Sequence, residues 1–569
     1  MILHDPAMIA AYTQRGWWGD LTIHALFDQT VAQGSPDDPC LVDPPNRQSF
    51  TDGPPARLTW AEVGRLVDRM AALLHRLGFR KDDMLCVQLP TTHEVFVAYL
   101  AALRLGVIPS PVPFQYREHE LSHILDRIRP RGFLTCRRIG KHDHARMALD
   151  LARTRPFLQH VLAFGDDVPA DAVDVGRSLG DAIGDGREID PALARAEVNA
   201  NEIAFVLWTS GTESTPKPVP RSHNNVLASR RLMTESADLR TGCRMLAPRL
   251  MNTVGGLSGA LMPWLDRRGV LCLHQPFDAA VYLEQLRTER IEFTSTPPAI
   301  LGGLLRDEKI DKARDLPMLR AVSSGSAALP EHVVRGFRER FGVEILNFYG
   351  STEGASLAAV PAEIPDDADR ARYFPRYGAS HLSWRISIAT GIETRLIDRE
   401  TGAAIDEPGR IGELAFRGSN VFPGYLDEPE LNARTFDPEG FYRTGDLFEI
   451  AGPDGRYFRF VGRAKDIIVR GGLNISALEL EGVLGEHPDV AEVAIFGAPD
   501  ERLGEIVCAA IVRRPGTAPT LERLAAWLRD ERRLAIFKLP QRLLDLEALP
   551  RSPAGKVLKS ELRALLGRQ

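Results

Sequence analysis

Between Thr59 and Phe348 the apolar residues repeatedly change their spacing, and this alternation restricts the possible fold more than any other feature of the chain. Thr59 and Glu62 form a capping box, after which Val63, Leu66, Met70, Leu73, Leu74 and Leu77 recur every three or four positions until Gly78. That is the pattern of an amphipathic helix with a glycine stop. A short apolar run at 84–89 closes on Pro90, and helical spacing resumes through Leu105. The exchange returns at 203–208, 291–295 and 319–323, in the helical stretch 331–341 and in the run 343–348. Strand and helix in alternation predict an α/β protein with a mostly parallel sheet covered by helices.

From about 385 to 460 the pattern changes to short strands with frequent turns, which predicts an antiparallel β subdomain. Beyond Arg463, a helix near 478–484, strands at 490–496 and 507–512 and a helix at 521–528 predict a small α+β domain. At 569 residues the chain is too long for one hydrophobic core. The expected division is a large N-terminal domain, 1–462, of helix-covered sheets plus the β subdomain, and a small mobile C-terminal domain, 463–569.

A net charge of −6 gives no electrostatic reason to expect nucleic acid or an anionic membrane as partner. The six cysteines are scattered, with no C-x-x-C pair and no zinc-ligand spacing, and so read as reduced thiols. The N-terminus lacks the basic start and apolar run of a secretory signal, and the longer apolar stretches are broken by Arg104 and prolines. The expectation is a cytoplasmic enzyme without a membrane span, monomeric or homodimeric, acting on small molecules.

The sharpest chemical signal follows the run 203–208. Thr209, Ser210, Gly211, Thr212, Ser214, Thr215 and Lys217 bring hydroxyls, glycine-flanked backbone N–H groups and an ammonium into one short segment. Such a string suits a polyphosphate, although the Walker A spacing is missing. It resembles the [ST]-S-G-[ST]-T-G-x-P-K-G loop of the adenylate-forming superfamily of acyl-CoA synthetases, luciferases and peptide-synthetase adenylation domains. Glu213-Ser214 stands where Thr-Gly is usual, and Pro218 replaces the last glycine.

Further segments match the same family in order. Ser324-Gly325-Ser326-Ala327 resembles its adenine-contacting turn, and Asn347-Phe348-Tyr349-Gly350-Ser351-Thr352-Glu353 its Y-G-x-T-E segment. Tyr442-Arg443-Thr444-Gly445-Asp446 resembles Y-R-T-G-D, Gly462-Arg463-Ala464-Lys465-Asp466 the G-R-x-K-D hinge, and Pro553-Ala554-Gly555-Lys556 the loop of the catalytic lysine. The resemblance implies ATP, Mg²⁺ and coenzyme A as cofactors. In it Tyr349 stacks on adenine, Thr352 contacts the α-phosphate, Glu353 holds Mg²⁺, Asp446 and Arg463 take the ribose, and Lys465 is the pivot between domains. Lys556 offsets the repulsion between carboxylate and α-phosphate, and Gly471-Gly472 lines a pantetheine tunnel.

The implied reaction forms an acyl-AMP with release of pyrophosphate and then passes the acyl group to coenzyme A. The implied acid pocket follows Pro248 and includes Met251, Asn252 and Gly256, with Ser324 and Ser351 beside the adenine turn and the Y-G-x-T-E segment. No aspartate lies between Arg249 and Gly259 to hold an α-ammonium, which disfavours amino acids. Aryl, alicyclic and medium-chain acids stay open. The N-terminal segment 12–18 and the string 219–223 are similar to those of aryl-acid ligases, in which the acceptor is a carrier protein.

Overall fold

The computed structural model describes residues 1–181, 197–209, 216–325, 327–470, 473–552 and 555–567. Its largest sheet has eight strands in the order Ser356–Ala359, Glu344–Gly350, Ala321–Gly325, Phe293–Ser295, Arg244–Ala247, Val270–Leu273, Pro39–Val42 and Arg57–Thr59. The six inner strands run parallel and the two edges antiparallel. The capping box forms as read, with Thr59 and Glu62 satisfying each other's end of the helix Trp60–Arg76. The helix Glu331–Phe341 matches its sequence pattern residue for residue and ends on Gly342 at φ +60°.

Apolar side chains leave this sheet on both faces. One face packs Tyr282, Leu286, Leu301, Val334 and Phe337 from the crossover helices. The other meets a larger core that includes Phe205, Trp264 and a second, all-parallel sheet of five strands, whose central members are Met84–Gln88 and Gly132–Cys136. Chain order reverses inside the eight-stranded sheet. Arg244–Ala247 leads outward to Val270–Leu273, but the next strand, Phe293–Ser295, returns to the opposite side of Arg244–Ala247. Connections on either side of that point leave toward opposite faces, which opens a crevice at the carboxyl ends of the strands.

The strand Ile203–Trp208 departs from expectation. It belongs to neither parallel sheet and pairs antiparallel with Pro218–Ser222 in a two-stranded ribbon. Pro218 and Pro220 alternate on the outer edge of that ribbon, so the edge lacks the donors needed to extend a sheet. What it offers is a carbonyl, Pro218 O, which accepts from Leu426 N at 3.1 Å.

A six-stranded antiparallel sheet runs Tyr373–Pro375, Tyr457–Arg463, Tyr442–Ala451, Ile411–Gly418, Ile392–Ile397 and Ala404–Ile405, as the turn-rich sequence there implied. A last sheet, built on the long hairpin Val490–Asp500 and Gly504–Arg513, has helices around it and two cores of its own. It meets the preceding sheet where Ser476 Oγ donates to Val461 O at 2.6 Å. Among the described residues no helix is long and apolar enough to cross a membrane, and all six cysteines are buried free thiols.

Candidate active site

Three sheets converge on one cluster. Tyr349 sits near the carboxyl end of Glu344–Gly350, and its hydroxyl donates to Asp446 Oδ2 at 2.6 Å. Asp446 lies on Tyr442–Ala451 directly across from Arg463 on the neighbouring strand, and this register brings Arg463 Nε to 3.2 Å from Asp446 Oδ1. Both carboxylate oxygens are therefore engaged. Phe374, Phe416, Phe448 and Phe460 surround the Tyr349 ring, Phe448 edge-on at 5.1 Å. Burial among these rings pushes the Asp446 carboxyl above the usual carboxylate range, while Arg463 and Tyr349 pull against the shift.

The turn after Tyr349 is held from the side. Gly354 takes φ +114°, and a Cβ there would stand 1.9 Å from Asn420 O, so only glycine fits. Asn420 Nδ2 donates to Gly354 O at 2.5 Å, and the Tyr425 hydroxyl donates to Glu353 Oε1 at 2.8 Å. Arg221, on the proline-edged strand, donates from Nη1 to Thr352 O at 3.1 Å and from Nη2 to Asn420 O at 2.6 Å. Burial lowers its guanidinium to about 10, with the Glu353 charge opposing. Lys217 Nζ lies 5.3 Å from the centre of the ring of Tyr425, the residue that donates to Glu353.

Lys556 arrives from the last sheet. Ser552 N donates to Lys556 O at 2.8 Å, and Arg551 Nη1 donates to Gly555 O at 2.8 Å; together they shape the loop that carries it. Its ammonium is half-buried within electrostatic reach of Asp446, Glu353, Arg463 and Lys465. Burial, and then the Arg463 charge, lower its pKa from the ordinary lysine value.

The residues expected to line an acid pocket lie at or just beyond the carboxyl ends of three strands of the large sheet, Arg244–Ala247, Ala321–Gly325 and Glu344–Gly350. Met251 is buried, and its carbonyl accepts from the Tyr99 hydroxyl at 3.1 Å. A Cβ on Gly256 would meet Leu250 O at 2.5 Å, and one on Gly325 would meet Phe348 O at 2.4 Å, so both positions are closed to side chains. Asn252 Oδ1, Ser324 Oγ and Ser351 Oγ are buried without hydrogen-bond partners among the described residues.

Not every residue singled out from sequence points into the cluster. Asn347 spends both amide N–H groups on Arg370 O and Ala371 O at 3.1 Å, tying its strand to the following helix. Ala327 and Gly350 are exposed. Ser210, Gly211, Thr212, Ser326, Gly471 and Gly472 lie outside the described residues, whereas Thr209 Oγ1 accepts from Lys217 N at 3.1 Å at the foot of the ribbon.

The family model for AMP-binding enzymes matches residues 28–426, and that for their C-terminal domain matches 479–556. The chain belongs to the AMP-binding enzymes. Within this family it is 33% identical to a medium-chain fatty-acid–CoA ligase of Escherichia coli over 97% of its length and 92% of the relative's. It is 32% identical to a 2-hydroxy-7-methoxy-5-methyl-1-naphthoate–CoA ligase of Streptomyces carzinostaticus, covering 98% of this chain and 96% of that one. The ATP-bound structure of MatB from Rhodopseudomonas palustris superposes with a TM-score of 0.80 at 25% identity, covering 96% of this chain and 99% of that one.

Sequence reading assigned no role to Asn420 or Tyr425, and named Arg221 only within the string 219–223 and Arg249 only as the first residue of the segment expected to line the acid pocket. The available signal was an arginine inside an otherwise apolar strand and a second one directly after Pro248. The Asp43, His93 and Glu94 side chains approach closely enough to hold a metal, but Arg47 donates to both carboxylates and closes the group as an ion cluster.

Proposed function

We propose that this AMP-binding enzyme is an AMP-forming acid–thiol ligase that converts an aryl, alicyclic or medium-chain acid, ATP and coenzyme A into acyl-CoA, AMP and pyrophosphate. The observation that carries this reading is the position of Lys556. An ammonium borne by the C-terminal sheet stands over Glu353 and Asp446 of the larger part, where a carboxylate and an α-phosphate must be brought together against their mutual repulsion. A half-buried cation with a lowered pKa gains from an arriving phosphate, which restores its preference for the charged form.

Tyr349 then supplies a flat face for adenine and Asp446, with Arg463, the ribose contacts. Thr352 meets the α-phosphate, and Thr209 and Lys217 flank the β- and γ-phosphates. Glu353 suits Mg²⁺: it is a buried carboxylate with one oxygen held by Tyr425 and the other without a hydrogen bond among the described residues. When bound, the cation would offset charge on the phosphates. The acid oxygen attacks the α-phosphorus and pyrophosphate departs in line. For the second step the part beyond residue 462 turns about Lys465 and withdraws Lys556, and the thiol attacks the acyl carbonyl with AMP leaving.

A carrier-protein thiol is the second reading for the acceptor, and one observation favours it. The exposed large apolar side chains include Val469, Leu473 and Ile536, all on the C-terminal sheet unit. Of the four basic groups suited to nucleotide phosphates of coenzyme A, Arg470, Lys538 and Arg532 are engaged by Phe537 O, Glu479 and Glu486 respectively, and the fourth, Arg533, is exposed. Pyrophosphate release across aryl, alicyclic and fatty acids, with coenzyme A, with a phosphopantetheinylated carrier or with neither, tests both halves. Exchange of labelled pyrophosphate into ATP with some acid is expected, and its absence with every acid refutes the adenylation step.

A further inference from the structure

The acid side holds one charge that the protein leaves unanswered. Arg249 follows Arg244–Ala247 at its carboxyl end, and its Nε donates to the Ser295 hydroxyl. Ser295 in turn accepts from Ser323 Oγ at 2.7 Å. Among the described residues the two terminal nitrogens of Arg249 make no hydrogen bond and no carboxylate pairs with it. Other deeply placed arginines are answered by acids: Arg47 by Asp43 and Glu94, Arg104 by Asp28 and Asp68, Arg370 by Asp367 and Glu344. Loss of water alone, with no acidic neighbour, lowers the pKa of Arg249 to about 10. A half-buried guanidinium with one protein hydroxyl as partner is only partly compensated for the water it has lost.

Position supplies an independent argument. Arg249 and Ser295 extend the two strands between which the chain order reverses, so their contact lies in the crevice where open α/β sheets take ligands. A Cβ at Gly255 would stand 3.5 Å from Arg249 Nη1, which places the guanidinium against the segment that carries Asn252 and Gly256. Asn252, three residues on, and Ser324, next to Ser323, each leave a buried oxygen without a partner among the described residues.

We infer that Arg249 receives a second anionic group of the acid, so that the preferred substrate is a dicarboxylic acid with one carboxylate turned toward Lys556 and the other held by the Arg249 fork. A planar, two-pronged donor matches a carboxylate in shape as well as charge, and a neutral acceptor would leave the half-buried cation unneutralised. Ser295, fixed by Ser323, orients the fork through Nε. This inference rests on the adenylation reading above.

The test is pyrophosphate exchange by the full-length protein with matched acid pairs, adipate against hexanoate and isophthalate against benzoate, for the wild type, Arg249→Met and Arg249→Lys. The wild type is expected to favour at least one diacid over its partner by about 10-fold or more in kcat/KM. Arg249→Met should lose about 100-fold on that diacid with little change on the monoacid, and Arg249→Lys should recover part of the loss. A wild type that prefers the monoacid in both pairs overturns the inference without any variant. So does an Arg249→Met enzyme that loses equally on both members of a pair, the mark of a structural role. Exchange with no acid at all is a different result, which brings down the adenylation reading itself.

Discussion

Arg221 is buried and Arg249 half-buried, and loss of water lowers the pKa of both guanidiniums to about 10, yet the protein treats them in opposite ways. Arg221 donates to Thr352 O and Asn420 O and faces Glu353, while Arg249 has a single serine hydroxyl. The surroundings repeat the contrast. On the nucleotide side Asp446, Tyr349 and Glu353 have protein partners, Arg221 Nε and Asn420 Oδ1 being exceptions. On the proposed acid side Asn252, Ser324 and Ser351 each leave a buried oxygen unmatched among the described residues. A site for a constant partner is completed from within. A site that selects among partners keeps its polar groups for the ligand, because discrimination comes from leaving them unpaired with the wrong one.

The largest effect separates the chemistry from both sides. Lys556→Ala should lower pyrophosphate exchange by about 10³-fold for every acid while thioester formation from supplied acyl-AMP stays within about 3-fold; measuring the two half-reactions separately decides it, and a parallel loss of both contradicts the assignment. Next, Arg221→Met should reduce exchange by roughly 100-fold, and by one factor for all acids, since a buried charge-assisted anchor of the Thr352–Glu353 turn is removed. A change in acid preference would erase the distinction from Arg249. Smaller again, Asn252→Ala should shift the ratio of hydroxylated to plain aryl acid, salicylate over benzoate, by roughly 10-fold. A ratio equal to the wild type's would mean that Asn252 does not read the ring.

The smallest effect concerns the frame of the nucleotide side. His4 Nε2 lies 2.9 Å from Asn225 Oδ1, and Asn225 Nδ2 donates to the Ser419 and Val421 carbonyls that flank Asn420; His223 Nδ1 accepts from Ile23 N. Burial lowers these imidazoles to about 4 and about 3. Below pH 6.5 the unfolded chain therefore holds protons that the folded chain refuses, and stability falls as the pH falls until the folded rings titrate. Relative to His223→Asn, the wild type should lose about 1.4 kcal/mol per pH unit between pH 6 and 5. Parallel denaturation midpoints for the two proteins over that range would count against it.

Much of this was legible in the chain. The capping box at Thr59, the helix Glu331–Phe341 and the strand Ile203–Trp208 are local patterns, and local patterns specify local structure. That Tyr349, Asp446, Arg463 and Lys556 stand near one another and near Glu353 was readable because each sits in a string that resembles a segment of the adenylate-forming family. The antiparallel partner of Ile203–Trp208 was hidden, since pairing is decided by what its outer edge can offer, and Pro218 and Pro220 matter only once they are seen on that edge. Arg221, Asn420 and Tyr425 act through contacts between distant segments, which no spacing records. Asn347 shows the converse: a residue inside a motif whose amide is bound to a neighbouring helix.

The reversal of strand order beside Arg244–Ala247 has a wider meaning. The floor of the proposed acid crevice is assembled from the ends of three strands that are far apart in sequence, while the aromatic and acidic groups proposed to hold the nucleotide stand on other segments. Substitutions at Arg249, Ser295 or Ser323 can therefore accumulate one at a time without disturbing the machinery that makes the mixed anhydride. Selectivity in such a scaffold is free to drift over evolutionary time while the energy-coupling step stays still.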